Sequence, residues 1–220
     1  MERTAAVNCY LLAFLVLALP AAVLISCTDR LQLHAMIHSG HLGVADEFFR
    51  YFTHLGDGLV PTFLAIGLLL FHGMRGFLMM GLSCGLGAII VQVMKRVFFP
   101  EMDRPVTFQE EMPGMHWVAD LVLNNHYTFP SGHAAAAFGM CTALVVIIAR
   151  RRWALPLLLF ATAIAYSRVH LSQHFTEDVL AGAIIGTVSA YGIHRWIHGT
   201  HAPAWTRLGP LLPMARSSEK

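Results

Sequence analysis

The stretch that decides the fold runs from Pro130 to Arg152, PSGHAAAAFGMCTALVVIIARRR. Pro, Ser and Gly punctuate a helix start, an uncharged run follows from Ala134 to Ala149, and three arginines close it. Such a run reads as a membrane helix whose arginine end stays in the cytoplasm. Five more apolar stretches read the same way: Val7 to Ser26, Leu59 to Phe71, Phe77 to Val97, Ala154 to Tyr166 and Val179 to Trp196. Several fall short of the roughly 20 residues a lone span requires. Composition decides for lipid, because 56% of 220 residues are hydrophobic and only 13% charged, too few solvating groups for a soluble surface. The expected architecture is all-α, a six-helix transmembrane bundle over residues 1–206.

With an even number of spans both termini lie inside. Arg3, Arg75, Arg150, Arg151, Arg152, Arg195, Arg207, Arg216 and Lys220 are then cytoplasmic, nine against the six of Arg30, Arg50, Lys95, Arg96, Arg104 and Arg168 on the other face. The PSGH end of the fourth span is thereby expected on the extracytoplasmic side. Between the first two spans, Leu31 to His54 mixes Val44, Phe48, Phe49 and Phe52 with Asp46, Glu47 and Arg50 at helical spacing, the pattern of a helix lying in the interface. Gly56-Asp57-Gly58 ends it. Phe98 to Phe129 is a long polar connection carrying Glu101, Asp103, Glu110, Glu111 and Asp120, of a length that usually serves function. Arg207 to Lys220 reads as a frayed cytoplasmic tail.

A formal charge of +2 and the lack of a basic stripe argue against nucleic acid. Cys9, Cys27, Cys84 and Cys141 have no paired spacing and read as small hydrophobes. Leu24-Ile25-Ser26-Cys27 looks like a lipoprotein cleavage box, but processing there would remove the first span and unpair the topology.

Chemistry gathers in two segments, PSGH at Pro130 to His133 and SRVHLSQHFTED from Ser167 to Asp178. Ser131 and Gly132 open a helix, whose free N–H groups and positive dipole end suit an anion. Arg168 can grip phosphate oxygens bidentately. His174 and Asp178, four apart, are expected on one helix face, the carboxylate fixing the tautomer whose other nitrogen attacks phosphorus. His133 would give the leaving oxygen its proton. Together these groups suit phosphoryl transfer through a phosphohistidine, with no metal and no cofactor expected. Other polar residues read blandly. His194 with His198, and His34, His38 and His41, suggest interfacial snorkelling. His126 and His170 lie near the motifs without a settled role. Gly81 with Gly85 and Gly182 with Gly186 suggest close helix packing.

PSGH and SR-x5-H-x3-D resemble the second and third signature motifs of the type-2 phosphatidic acid phosphatase superfamily, six-helix membrane lipid phosphatases with soluble haloperoxidase relatives. The resemblance covers Lys95 to Asp178 by motif. The superfamily's first motif places Lys six residues before Arg-Pro; here eight separate Lys95 from Arg104-Pro105. Either two residues are inserted within Phe98 to Asp103, or Met102-Asp103 takes the usual place and Arg104 reaches in, with Arg96 a possible substitute for Lys95. The resemblance implies phosphate binding by Lys95, Arg104, Ser131, Gly132 and Arg168, nucleophilic attack by His174, acid catalysis by His133 and orientation by Asp178. It implies a metal-independent acid phosphatase in a bacterial inner membrane, facing the periplasm or exterior. The substrate would be a phosphorylated membrane lipid: polyprenyl diphosphate, phosphatidate, phosphatidylglycerophosphate or lipid A. A lipid phosphotransferase using the same site is the alternative, and a non-enzymatic transporter is disfavoured because the charges sit at helix ends rather than the midplane. The oligomeric state is not legible.

Overall fold

The computed structural model describes residues 1–38, 43–118, 121, 125–200 and 202–212. Among them the regular structure is helical throughout: α1 (Glu2–Cys27), α2 (Arg30–His38), α3 (Gly43–Phe52), α4 (Leu59–Phe71), α5 (Met74–Val93), α6 (Gly132–Ile148), α7 (Ala154–His170) and α8 (Thr176–Ile197). All six apolar stretches are helices. By length and composition, however, only Glu2–Cys27 and Met74–Phe98 suffice to cross a membrane, with Val44–Gly56 and Leu59–Phe71 a third span only if taken as one pair bent by 48°. The expectation of six therefore outruns these criteria. The shortfall has a cause, since α4 has 13 residues, α6 and α7 have 17 each, and α8 carries Glu177, Asp178 and Arg195 near its ends.

α1 shows what solvates the bundle. Ala6, Val7, Tyr10 and Phe14 are buried against the other helices, while Leu12, Leu15, Val16, Leu19 and Val23 face outward. Such a surface is stable only in an apolar solvent. Because Tyr10 is fully buried, α1 packs as a wall of the bundle.

α6 is the central helix, packed against α8, α7, α5 and α1. Its sequence explains its place: the small side chains of Ala134, Ala135, Ala137 and Gly139 let neighbouring backbones approach closely. A Cβ on Gly186 of α8 would lie 2.2 Å from the Ala135 carbonyl oxygen, and one on Gly182 would lie 2.3 Å from that of Ser131. That crossing admits no side chain. Gly81 and Gly85 differ: a Cβ at Gly81 would meet Ala65 Cβ at 3.9 Å, an ordinary contact with α4, and one at Gly85 would meet nothing within 4 Å, so only Gly81 packs and without a close crossing.

The segment between α1 and α4 departs from expectation. Instead of one interfacial helix it folds as α2, α3 and a tight 3-10 turn, Thr53–Gly56. His34 and His38 do not snorkel; they are 0% and 4% exposed. His34 Nε2 lies 3.2 Å from Ser172 Oγ, and burial pushes its pKa down to about 4. His170 Nε2 and His116 Nε2 lie 2.9 and 3.1 Å from the two oxygens of Asp46, which ties the long connection to α3 and α7. His41, Asp120 and residues 213–220 lie outside the described residues.

The helices run up and down, so the chain has two unlike ends. Thr53, Asp57, Lys95, Arg104, Ser131, Arg168 and His174 gather at one. The other holds the start of α1, the Arg150–Arg152 cluster and the last residues described. There Arg3 donates to the Val146 carbonyl, and the Leu211 and Leu212 amides donate to those of Leu69 and Leu70. Leu208, Leu211 and Leu212 are thus held by backbone bonds with their side chains exposed, and most of the expected tail lies outside the described residues.

Candidate active site

α7 ends by reversing the chain over its own last turn. The amides of Gln173 and His174 both donate to the Arg168 carbonyl, at 2.9 and 3.2 Å, and Ser172 takes the left-handed conformation with φ 50°. This satisfies carbonyls a helix end would leave unpaired. It also returns His174 to the side of Arg168, the structural meaning of five residues between Ser167-Arg168 and His174. α8 then starts at Thr176, with Asp178 in its first turn.

His174 and Asp178 therefore do not share a helix face as expected, because His174 precedes the helix. They meet across its N-terminal turn. Asp178 Oδ2 accepts from the Phe175 amide at 2.9 Å, lies 3.3 Å from His174 Nδ1 and accepts from the Thr128 hydroxyl, which lies 3.2 Å from His174 Nδ1. With Nδ1 engaged, Nε2 is the free nitrogen. Burial, then the charges of Arg168, Arg104, Lys95 and His133, hold the His174 pKa well below 6.5. The ring is neutral, the form a nucleophile needs.

The cations converge on it. Arg168 donates from Nη1 to Thr53 Oγ1 at 2.8 Å and from Nη2 to Gln173 Oε1 at 3.2 Å. Its Nε is buried and without a partner, so the guanidinium keeps donors in reserve. Arg104 donates to the His126 carbonyl from Nε and to both Gln173 oxygens from Nη1. Gln173 thus clamps two guanidiniums that would otherwise repel. Burial depresses the Arg104 pKa, with Asp178 opposing.

The stretched first motif resolves in three dimensions. α5 ends in a π turn, Met94–Phe98, closed by the Phe99 amide on the Met94 carbonyl at 2.9 Å. This widened turn and the loop after it connect Lys95 to Arg104. Lys95 is half-buried and within electrostatic range of Arg104, Arg168 and Asp178, whereas Arg96 is exposed. Asp103 does not replace Arg104; it pairs with His126 Nδ1 at 2.6 Å. Lys95, Arg96 and Arg104 line, with Gln92 and Asn125, a cleft of about 710 Å³.

PSGH opens α6 as expected. Ser131 is the N-cap, its hydroxyl accepting from the Ala134 amide at 3.4 Å, and its own amide donates to the Asp178 carbonyl at 2.9 Å. The two motif segments are thus bonded backbone to backbone. His133 Nε2 lies 2.8 Å from Asp57 Oδ1, and Asp57 Oδ2 lies 2.8 Å from His54 Nδ1.

Thr53, His54, Asp57, Thr128 and Gln173 escaped sequence reasoning. Thr128 and Gln173 sit beside or inside the motifs, where proximity was a usable signal. Thr53 and Asp57 lie over a hundred residues from Arg168, in a stretch that reads as a helix stop. Among the described residues, no three His, Cys, Asp or Glu side chains group as a metal site.

Three comparisons bear on this arrangement. The chain is 36% identical over 75 residues to the lipid A 4'-phosphatase of Bacteroides thetaiotaomicron, covering 31% of this chain and 33% of that protein. It thus spans about a third of that curated relative's length. Its fold matches the crystal structure of Aquifex aeolicus LpxE with TM-score 0.66 and 28% identity, over 76% of this chain and 95% of that one. It also matches the fold of the transmembrane PAP2 type phosphatidylglycerolphosphate phosphatase from Bacillus subtilis, with TM-score 0.60 and 22% identity over 86% and 94% of the two chains. Residues 76–201, more than half of the chain and including PSGH and SR-x5-H-x3-D, match the PAP2 superfamily, and to that superfamily this chain belongs.

Proposed function

We propose that this protein is an integral membrane lipid phosphatase that hydrolyses a phosphomonoester or diphosphate on a lipid head group through a phosphohistidine. One observation carries the reading: a buried, neutral imidazole with one nitrogen tied to a carboxylate sits among Arg168, Arg104 and Lys95, at one end of a bundle whose outer surface is apolar. A phosphate carried on a lipid presents itself at that level of the membrane.

In the proposed reaction Arg168, Arg104, Lys95 and the Gly132 and His133 amides hold the phosphoryl oxygens. His174 Nε2 attacks phosphorus, the bond from phosphorus to the lipid oxygen breaks, and that oxygen takes its proton from His133. Water then attacks the phosphohistidine, returning a proton to His133 as the N–P bond breaks and inorganic phosphate leaves. Lipid A is the first candidate, from the name of the curated relative; phosphatidylglycerophosphate, phosphatidate and polyprenyl diphosphate follow.

The reading includes six spans and a site outside the cytoplasm, supported by the Arg150–Arg152 cluster lying at the opposite end from the site. A reporter fused after Arg151 should read cytoplasmic and one inserted near Pro113 extracytoplasmic; the reverse pattern overturns the outer assignment. The activity is tested by phosphate release from a panel of these four lipids by purified protein in detergent. Release without an acceptor lipid identifies hydrolysis. Transfer to a lipid hydroxyl without release identifies a phosphotransferase, and failure on all four overturns the lipid reading.

A further inference from the structure

We infer that Asp57 is a positioning residue for His133, holding its ring by Nε2 and stabilising its charged form, and that His54 links this pair to solvent. The inference rests on the reading of His133 as the acid in the proposed reaction.

The 3-10 turn Thr53–Gly56 lies against the site at two points. Thr53 takes the 2.8 Å bond from Arg168, and Asp57, whose amide closes the turn on the His54 carbonyl at 3.0 Å, reaches His133 Nε2 at 2.8 Å. Gly56 makes the approach possible. A Cβ there would meet Ile164 Cγ2 at 2.8 Å, His133 Cβ at 3.2 Å and His133 Cδ2 at 3.3 Å, so the turn lies against the Cβ–Cδ2 side of His133 and Asp57 reaches on to Nε2. Nδ1 lies on the opposite edge. With Nε2–H donated to Asp57, the proton delivered to the leaving oxygen departs from Nδ1.

Charge makes the arrangement useful. His133 faces Asp57 and His54 from the turn, Arg168 from α7 and His174 from the α7–α8 connection. Arg168 opposes a second positive charge, as does His54 when protonated; Asp57 alone favours one. A general acid must start protonated; burial and then Arg168 bring the His133 pKa down to about 4, and the Asp57 carboxylate is what keeps it from falling further. Exposure grades outward along the chain, with side chains 27% accessible at His133, 37% at Asp57 and 67% at His54. The Nε2 proton held by Asp57 therefore lies on a path to water through His54, separate from the Nδ1 proton that goes to the leaving oxygen. The cycle balances on His133 itself: one proton goes to the lipid oxygen, and one returns from the attacking water.

The test compares Asp57→Asn with wild type, purified in detergent, on two soluble probes: an alkyl phosphomonoester, whose leaving oxygen needs a proton, and p-nitrophenyl phosphate, whose leaving group does not. Turnover of the alkyl ester should fall about 10- to 100-fold and that of the aryl ester less than about threefold, as expected when general acid catalysis is impaired. The alkaline limb of kcat on the alkyl ester should move down by about one pH unit, because an opposite charge beside the acid has been removed. Adding Asp57→Asn to His133→Ala should cost nothing further. Equal losses on both probes with an unmoved alkaline limb would overturn the inference. Should Asp57→Asn not accumulate, His54→Ala reads the same chain: a loss of about threefold confined to the alkyl ester supports it, and an equal loss on both probes sinks it. Because neither probe is a lipid, failure of the lipid panel is distinguishable from failure here.

Discussion

His174 and His133 each pair with a carboxylate, yet the two pairs sit in opposite surroundings. His174 and Asp178 have side chains 2% and 0% accessible, sealed by Thr128, Phe175 and the α8 N-terminus, while His133 and Asp57 are 27% and 37% accessible and open through His54 to solvent. Burial disfavours a charged imidazole in both, holding His174 well below 6.5 and bringing His133 down to about 4, and at His133 Asp57 opposes that shift. In the proposed reaction the sealed ring serves as the neutral nucleophile and the more open ring, backed by Asp57, as the proton carrier. What differs is access to water and the number of cations: Arg168 bears on both rings, while Arg104 and Lys95 bear on His174 as well.

The largest effect that would sharpen this contrast is His174→Ala, which should bring phosphate release to background on every substrate. Acid quench of labelled substrate followed by alkaline work-up should leave label on His174 of the wild type and none on the variant. Label elsewhere breaks the assignment. Next comes His133→Ala, expected to lose about 10²- to 10⁴-fold on an alkyl or lipid phosphate and far less on an activated aryl phosphate. Uniform loss would make the open pair as sealed as the other.

Smaller again are the cations. Arg168→Ala and Arg104→Ala, buried and clamped by Gln173, should each cost about 1.5 to 3 kcal/mol in kcat/KM, the range of hydrogen bonds to charged groups. Lys95→Ala should cost no more than Arg168→Ala, and Arg96→Ala, exposed at the cleft, about twofold or less. Near-normal turnover in Arg168→Ala beside a dead Lys95→Ala would invert this order. The smallest signature is in pH. Because His174 attacks as the neutral base and its pKa is held below 6.5, kcat/KM should fall on acidification only well below pH 6.5. An acid limb at or above 6.5 would show the sealed pair to be wet.

Much of the fold was legible because its signals are local. An uncharged run specifies a helix wherever lipid is the solvent, and PSGH marks the start of α6 through capping chemistry alone. The tie of Arg168, His174 and Asp178 could be read because all three sit on one stretch, α7, a turn and α8. Even there the sequence suggested the wrong local geometry. A spacing of four fits a helix face, but a residue ahead of the N-cap reaches the third residue of the first turn equally well.

Tertiary structure alone decided the rest. The length between Lys95 and Arg104 left three arrangements open, and only the fold shows Arg104 packed against Gln173 and His126, Lys95 half-buried and Arg96 exposed. Gly182 and Gly186 pack as their spacing suggested because α6 offers small residues opposite; of Gly81 and Gly85, with the same spacing, only Gly81 meets a small partner, Ala65, at ordinary contact distance. Asp57 stood in a Gly-Asp-Gly run that fits any helix stop. Its role exists only because the turn it follows folds onto α6 and α7, and no period in the chain encodes a contact between residues 57 and 133. Sequence determined which helices form and which side chains can carry phosphoryl chemistry, since both depend on neighbours a few residues away. Which imidazole is sealed and which is wet depends on what distant segments cover, and that was settled only by packing.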